Sequence, residues 1–425
     1  MTTITESDAS RKDEIRQYML VTGNYWGFTL TDGALRMLVV LHFHELGYSP
    51  LAIAMLFLFY EIFGVVTNLV GGWVGARIGL NRTMNIGLAL QVVALLMLTV
   101  PSTWLSVAYV MAAQALSGIA KDLNKMSAKS SIKLLAGSGN PGTLYKWVAL
   151  LTGSKNALKG AGFFLGGTLL AGLGFRTALV AMALALTVVL IGSLLMLKKD
   201  LGKAKQKAKF SDIFSKSQAV NTLSAARLFL FGARDVWFVV ALPVFLSSQL
   251  GWNHTQVAGF LALWIIGYGI VQAFAPALTG IKSARVPDGK TAFGWAAVLA
   301  LIPALIALSL GGGILETWLP SPGGKFLGNA EPVIVTGLLI FGALFAINSS
   351  LHSFLIISYA KEDGVSLDVG FYYMANAIGR LIGTVLSGWV FQVYGLEMCL
   401  YISTAFVLLA ALLSLGLPRH KDKPA

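Results

Sequence analysis

Apolar stretches alternate with short polar connectors from residue 20 to residue 416. A helix needs about 20 apolar residues to cross the hydrocarbon core of a bilayer. Twelve runs of that kind can be placed, at 20–43, 51–73, 83–100, 104–122, 155–172, 177–197, 221–246, 255–278, 291–310, 333–358, 369–391 and 397–416. The pattern predicts an all-α polytopic membrane protein whose helices nearly fill the chain.

The connectors carry a second pattern. One alternate set holds Arg77 and Arg82, the lysines after residue 120, the run KKDLGKAKQKAK (198–209), Lys282, Arg285 and Lys290, and the tail RHKDK. The opposite set holds only Arg176 and Lys325. Cytoplasmic loops of membrane proteins are the ones enriched in Lys and Arg, so this asymmetry places both termini in the cytoplasm. The first sixteen residues, MTTITESDASRKDEIR, are polar and contain no apolar core, so no signal peptide is expected.

The basic segment near 198–216 leaves six runs on either side. Short echoes support a duplication: LGYSP (46–50) returns as LGWNH (250–254), and GVV (64–66) as GIV (269–271). Two six-helix bundles of common descent follow, as in transporters of the major facilitator type, whose site lies near the midplane between repeats. The expected division is a cytoplasmic N-terminal segment 1–19, a bundle 20–197, a basic linker 198–218, a bundle 219–417 and a cytoplasmic tail 418–425. The stretch GWVGARIGLNR (72–82) resembles the loop motif of that superfamily at Gly72, Gly79, Arg77 and Arg82. It has Ala76 where the motif has an acid, which puts the charge latch of that loop in doubt.

Composition agrees with a membrane protein: 56% of residues are hydrophobic, only 12% are charged, and mean hydropathy is +0.74. The net charge of +13 would otherwise point to nucleic acid, but its placement in one set of loops reads as topology. A single cysteine, Cys399, excludes an internal disulfide and a Cys-based metal site.

Charges inside the spans carry chemistry. An ionisable residue at a helix centre costs about 2.5–3.5 kcal/mol to insert, so it pairs or faces a water-filled cavity. Asp32 and Arg36 stand at i and i+4 on the first span. Glu61 lies on the second, on a face away from Thr67 and Asn68. Arg227, Arg234 and Asp235 are on the seventh, and Asn376 with Arg380 on the eleventh. Two readings stand side by side: structural pairs Asp32–Arg36 and Arg234–Asp235, or a charged cavity in which Asp32, Glu61 and Asp235 handle protons while Arg36, Arg234 and Arg380 meet an anion. His352, in NSSLHS on the tenth span, is a cavity candidate. His42 and His44, at i and i+2 in HFHE, do not share a helical face and are read as interfacial residues without a metal. The glycines of GGG (311–313) and SPGG (321–324) mark an outer loop, with no phosphate-loop signature around them.

The stretch SGIAKDLNKMSAKSSIK (117–133) places lysines beside an apolar run. Lys121, Lys125 and Lys129 recur every fourth residue, on one side of a helix, with Asp122 beside them to offset part of their repulsion. Beyond a turn at 136–142, the next helix carries Lys155 and Lys159. Antiparallel helices about residue 140 would set Lys121 level with Lys159 and Lys125 with Lys155. Counting 1.5 Å per residue, Lys159 lies about 10 Å and Lys121 about 5 Å inside a 30 Å core. Lysines that only set topology have no reason to be so deep. Lys121, Lys125, Lys155 and Lys159 are therefore expected to line an anion-attracting vestibule, whereas Lys129, Lys133 and Lys146 are expected to serve topology.

The segments GNYWGFTLTDGALRMLVVLHFHELGYSP, SGIAKDLNKMSAKSSIKLL and TGSKNALKGAGFFLGG resemble the bacterial organoarsenical efflux permeases of the major facilitator superfamily, the ArsJ family, over about residues 16–416. The resemblance implies export of 1-arseno-3-phosphoglycerate, made from arsenate by a glyceraldehyde-3-phosphate dehydrogenase, and hence arsenate resistance. It also implies a multi-pass protein of the bacterial inner membrane. It supplies no site assignment, so the residue roles above rest on charge and geometry. Proton antiport is the expected coupling, a monomer the expected state, and no cofactor, metal, nucleic acid or enzymatic activity is expected. The alternatives are export of another organic anion such as a sugar phosphate, a membrane-embedded transferase, for which no cluster of Asp or His is found, and a non-transporting sensor, for which no cytoplasmic segment is large enough.

Overall fold

The computed structural model describes residues 2–47, 56–135, 141–197, 201–203, 217–252, 254–279, 286–310 and 330–419. Among them all regular structure is helical: α1 (Thr2–Glu45), α2 (Leu58–Ile78), α3 (Leu80–Met97), α4 (Val107–Leu135), α5 (Pro141–Leu173), α6 (Phe175–Met196), α7 (Gln218–Phe238), α8 (Ala241–Ser248), α9 (His254–Leu278), α10 (Gly289–Leu310), α11 (Ala330–Tyr359) and α12 (Val365–Ser414). A short 3-10 turn, Ser102–Trp104, joins α3 to α4. Eight stretches among the described residues are long and apolar enough to cross a membrane on composition alone. The helices α1, α4 and α5 fall outside that group. They are the ones that carry Asp32 and Arg36, the lysines around residue 125, and Lys146, Lys155 and Lys159.

The helices take in most of each expected span, and α1, α4 and α5 run well beyond them, to Thr2, Leu135 and Pro141. The seventh breaks at Val239 and Val240, between α7 and α8. Pro243 explains the break, because a proline ring clashes with the carbonyl four residues before it. The freed Val240 and Ala241 N–H groups donate to Ser387 Oγ, at 3.3 and 3.1 Å. The fifty residues of α12 are two crossings joined at Gly395, whose φ of 80° and ψ of −176° are not helical. Gly395 thus separates the last two expected spans. The glycine of each echo takes positive φ, 83° at Gly47 and 70° at Gly251. The loops GGG and SPGG and most of the basic linker lie outside the described residues.

The chain forms two compact units. One comprises Met1–Ser215 with Ile356–Met374, the other Lys216–Leu355 with Ala375–Ala425. In the first, glycines let helices cross at backbone distance. A Cβ on Gly162 would stand 2.6 Å from Leu30 O, and one on Gly118 would stand 2.7 Å from Tyr60 O. The α1–α5 crossing therefore carries Asp32 and Lys159 on neighbouring turns, and the α2–α4 crossing sets Tyr60 beside Lys121. Residues 356–374 are held in the same unit. Lys133 Nζ donates to Ile357 O at 2.8 Å and Ser358 O at 3.1 Å, and Ser366 Oγ donates to Gly72 O at 2.7 Å. In the loop-motif region Gly79 has φ 96°, Arg77 stacks on Trp73 with 5.1 Å to the ring centroid, and Ala76 is buried.

The second unit is built on an aromatic core. Trp237 meets Phe341 and Trp264 edge to face, at 5.0 and 6.2 Å between centroids. On the other side of α7, Gly379 and Gly383 bring α12 against the backbone of Leu228 and Gly232. That contact aligns the charged residues of the two helices.

Candidate functional site

In the first unit, α1, α2 and α4 bring together a chain of charges. The Tyr60 hydroxyl donates to Asp32, 2.8 Å from Oδ1 and 3.1 Å from Oδ2, and both residues are buried. Arg36 donates through Nη2 to Glu61 Oε1 at 3.2 Å, with both side chains half-buried. The expected pairing along α1 is therefore replaced: Asp32 takes Tyr60, and Arg36 takes Glu61 on the neighbouring helix. Two adjacent residues of α2 thereby answer two residues one turn apart on α1.

The ring of Tyr60 continues the chain. Lys121 Nζ lies 3.7 Å from its centroid, and the Arg36 guanidinium 4.9 Å. Cations are drawn to the negative face of an aromatic ring, and the attraction grows as water is removed. Next along α4, Asp122 lies between two lysines, with Lys125 Nζ 2.5 Å from Oδ1 and Lys121 Nζ 3.9 Å from Oδ2. The carboxylate is 2% exposed, while Lys121 and Lys125 keep 20% and 14% of their side chains exposed. The acid is thus sealed in, while its two lysine partners stay partly exposed.

Lys125 and Lys129 also face the ring of Tyr373, at 4.8 and 5.0 Å from its centroid. Lys129 is buried and donates to Thr152 Oγ1 on α5 at 3.1 Å. Residues 129 and 152 are equidistant from a point between 140 and 141, so α4 and α5 have the register that the spacing of their lysines predicts. Lys155 and Lys159 follow Thr152 by about 4.5 and 10.5 Å along α5. Both are partly exposed, and Lys159 stands 5.8 Å from the Phe163 ring centroid. Among these described residues of α1, α2, α4 and α5, Arg36 and the lysines 121, 125, 129, 155 and 159 outnumber the acids Asp32, Glu61 and Asp122.

The second unit has its own charged centre. Asp235 is fully buried and accepts from both arginines expected near it: Arg234 Nε donates to Oδ1 at 2.6 Å and Arg380 Nε to Oδ2 at 3.1 Å. The pair read from sequence is thus a triad. About two turns back along α7, buried Arg227 donates to Asn376 Oδ1 at 2.8 Å and Ser349 O at 3.2 Å, and lies 3.8 Å from the Phe231 ring centroid. His352 is completely buried, and among the described residues neither ring nitrogen has a hydrogen-bond partner. On the same face of α11, the hydroxyls of Ser349 and Ser353 share that condition.

The expected residues therefore fall into two sets. Asp32, Arg36, Glu61, Lys121, Lys125, Lys155 and Lys159 line the first unit, and Arg234, Asp235, Arg380 and His352 the second. Sequence reasoning missed Tyr60 and gave Asp122 only a balancing part. The signal for Tyr60 was present. It heads the stripe Tyr60, Gly64, Thr67, Asn68 and Gly71, spaced as one face of a helix, and all five are buried. Outside both sets, His42 stacks on Phe175 at 3.9 Å between centroids, and Arg176 Nε donates to Thr99 O.

The family model for the Major Facilitator Superfamily matches residues 20–320. No match was found among curated proteins. Solved structures of similar fold include the human organic anion transporter MFSD10 (TETRAN), with 18% identity, 94% of this chain and 99% of that one covered, and a TM-score of 0.71. A bacterial homologue of the iron transporter ferroportin gives 15% identity, 93% and 98% coverage and a TM-score of 0.70. The fucose:proton symporter FucP of E. coli gives 12%, 96% and 100%, and 0.72. At these identities the likeness speaks to the fold.

Proposed function

The chain belongs to the major facilitator superfamily, a family of multi-pass membrane transporters of small molecules, and from that premise we propose that it exports an organoarsenical anion, 1-arseno-3-phosphoglycerate. The observation that carries the reading is the lysine wall of the first unit. Lys121 and Lys125 keep part of their side chains exposed while sharing one sealed carboxylate. Such a surface attracts anions, and low-dielectric surroundings strengthen the field. A cargo with a phosphate at one end and an arsenate at the other matches paired cations. The likeness of three long segments to ArsJ permeases selects this cargo over a sugar phosphate, which would use the same lysines.

In this reading a cytoplasmic glyceraldehyde-3-phosphate dehydrogenase makes the ester from arsenate. The protein acts as a monomer in the bacterial inner membrane with both termini inside. Outside the cell the ester falls apart, and arsenate has been removed. Proton antiport drives the exchange, with Asp32 and Glu61 as the acids nearest the lysines. Asp235 is a weaker candidate because two arginines hold it. Arg234 and Arg380 are the anion-binding candidates of the second unit, and His352 its buried polar candidate.

The test is growth on arsenate in a host lacking both genes. Resistance is expected only when the permease and the dehydrogenase are expressed together. Resistance from the permease alone contradicts the proposed cargo.

A further inference from the structure

Asp122 occupies an unusual place in the lysine wall. Its carboxylate bridges Lys125 Nζ at 2.5 Å and Lys121 Nζ at 3.9 Å. Behind it α2 is cut back to glycine: a Cβ on Gly64 would stand 2.9 Å from Asp122 Oδ2. Each lysine is backed by a ring, Lys121 by Tyr60 at 3.7 Å and Lys125 by Tyr373 at 4.8 Å. The two ammonium groups are thus fixed in position, four residues apart on one helix, about 6 Å along its axis. Each has three N–H donors, more than one shared carboxylate can use.

We infer that Asp122 is a built-in counter-anion, held on Lys121 and Lys125 until the phosphate or arsenate group of the cargo replaces it, and returning to them to drive the cargo off. The inference rests on the anion-binding reading of these lysines and names a residue to which that reading gave no role. A tetrahedral oxyanion brings up to two negative charges and three terminal oxygens to the two ammonium groups, whereas Asp122 brings one charge. The oxyanion therefore wins the exchange when present. The tethered carboxylate is always at hand when it leaves. Competition by an attached group lowers affinity and speeds release, which suits a transporter that must let go of a multiply charged ligand.

A residue with a purely structural part would weaken binding when altered. A competitor does the reverse. Purified full-length protein in detergent would be titrated calorimetrically with 3-phosphoglycerate and with inorganic phosphate, and turnover would be followed as 3-phosphoglycerate counterflow in liposomes. Asp122→Asn is expected to bind both probes about ten-fold tighter, equivalent to about 1.4 kcal/mol, and to turn over more slowly. Asp122→Ser, smaller and uncharged, should do the same if the amide variant folds poorly. Lys125→Gln should lose affinity. Equal or weaker binding in both Asp122 variants overturns the inference, as does failure of either probe to bind wild type and variants alike. Growth on arsenate is scored separately. Tighter binding by the Asp122 variants with no resistance from the wild type would remove the arsenical assignment and leave the counter-anion standing.

Discussion

The Tyr60 hydroxyl donates to both oxygens of Asp32 while Lys121 Nζ lies 3.7 Å from the centroid of the same ring. One residue of α2 therefore touches an acid with its edge and a cation with its face. The two jobs can be separated. Tyr60→Phe keeps the ring and removes the hydroxyl, leaving a buried carboxylate without its donor. A loss of about 1–3 kcal/mol in stability is expected, with anion affinity close to wild type because Lys121 keeps its seat. Thermal unfolding and phosphate titration of the purified variant check both parts. An affinity loss as large as that of Lys121→Gln would show that the hydroxyl, and not the ring, organises the lysines.

How much of this was legible in the sequence differs by kind of information. Spans and their alternation follow from periodicity and rise per residue, because a bilayer admits few alternatives to a helix. Even the register of α4 on α5 was readable, and the Lys129–Thr152 bond has it. Partner choice was not. Spacing of four residues offered Asp32 to Arg36, yet each bonds across to α2, since Tyr60 and Glu61 are brought within reach by the α2–α4 and α1–α5 packing. Likewise Arg380 joins Asp235 only because Gly379 and Gly383 let α12 lie on α7. Such contacts join residues far apart in the chain and leave no local trace.

The Asp235 triad makes a prediction about stability. Asp235→Asn leaves Arg234 and Arg380 without their shared charge in a buried setting, where breaking one side of an ion pair costs about 3–5 kcal/mol. Arg380→Gln should be milder, because Arg380 is 37% exposed and Asp235 keeps Arg234. Melting temperatures of the two variants in detergent give the order. Equal losses would mean that the triad is not the unit of stability.

Charge on the lysine wall should matter more than shape. Lys121→Gln, Lys125→Gln, Lys155→Gln and Lys159→Gln are each expected to weaken apparent affinity for the arseno-ester about ten-fold, since hydrogen bonds to charged groups contribute about 1.5–3 kcal/mol. Replacement by Arg should be milder, because the charge stays while its geometry changes. The penalty should shrink as salt rises, screening acting over about 8–10 Å at ordinary ionic strength. If the lysines only set topology, all four Gln variants transport normally, because orientation depends on the summed bias of many residues.

The proposed proton coupling rests on acids of the first unit. Asp32→Asn and Glu61→Gln are each expected to abolish accumulation driven by an imposed pH gradient while leaving expression and phosphate binding intact. Vesicles carrying each variant would be loaded under a gradient and without one. A full response to the gradient in both variants excludes these acids.

The central claim is that the cargo is the arseno-ester, and arsenic uptake into everted membrane vesicles measures it directly. Vesicles containing the protein would be supplied either with arsenate alone or with ester generated in place by glyceraldehyde-3-phosphate dehydrogenase. Uptake is predicted only with the ester-generating system, and is predicted to fall in Lys121→Gln and Lys125→Gln vesicles of equal protein content. Uptake of arsenate alone, or no uptake from the ester while a sugar phosphate is taken up, would contradict the account.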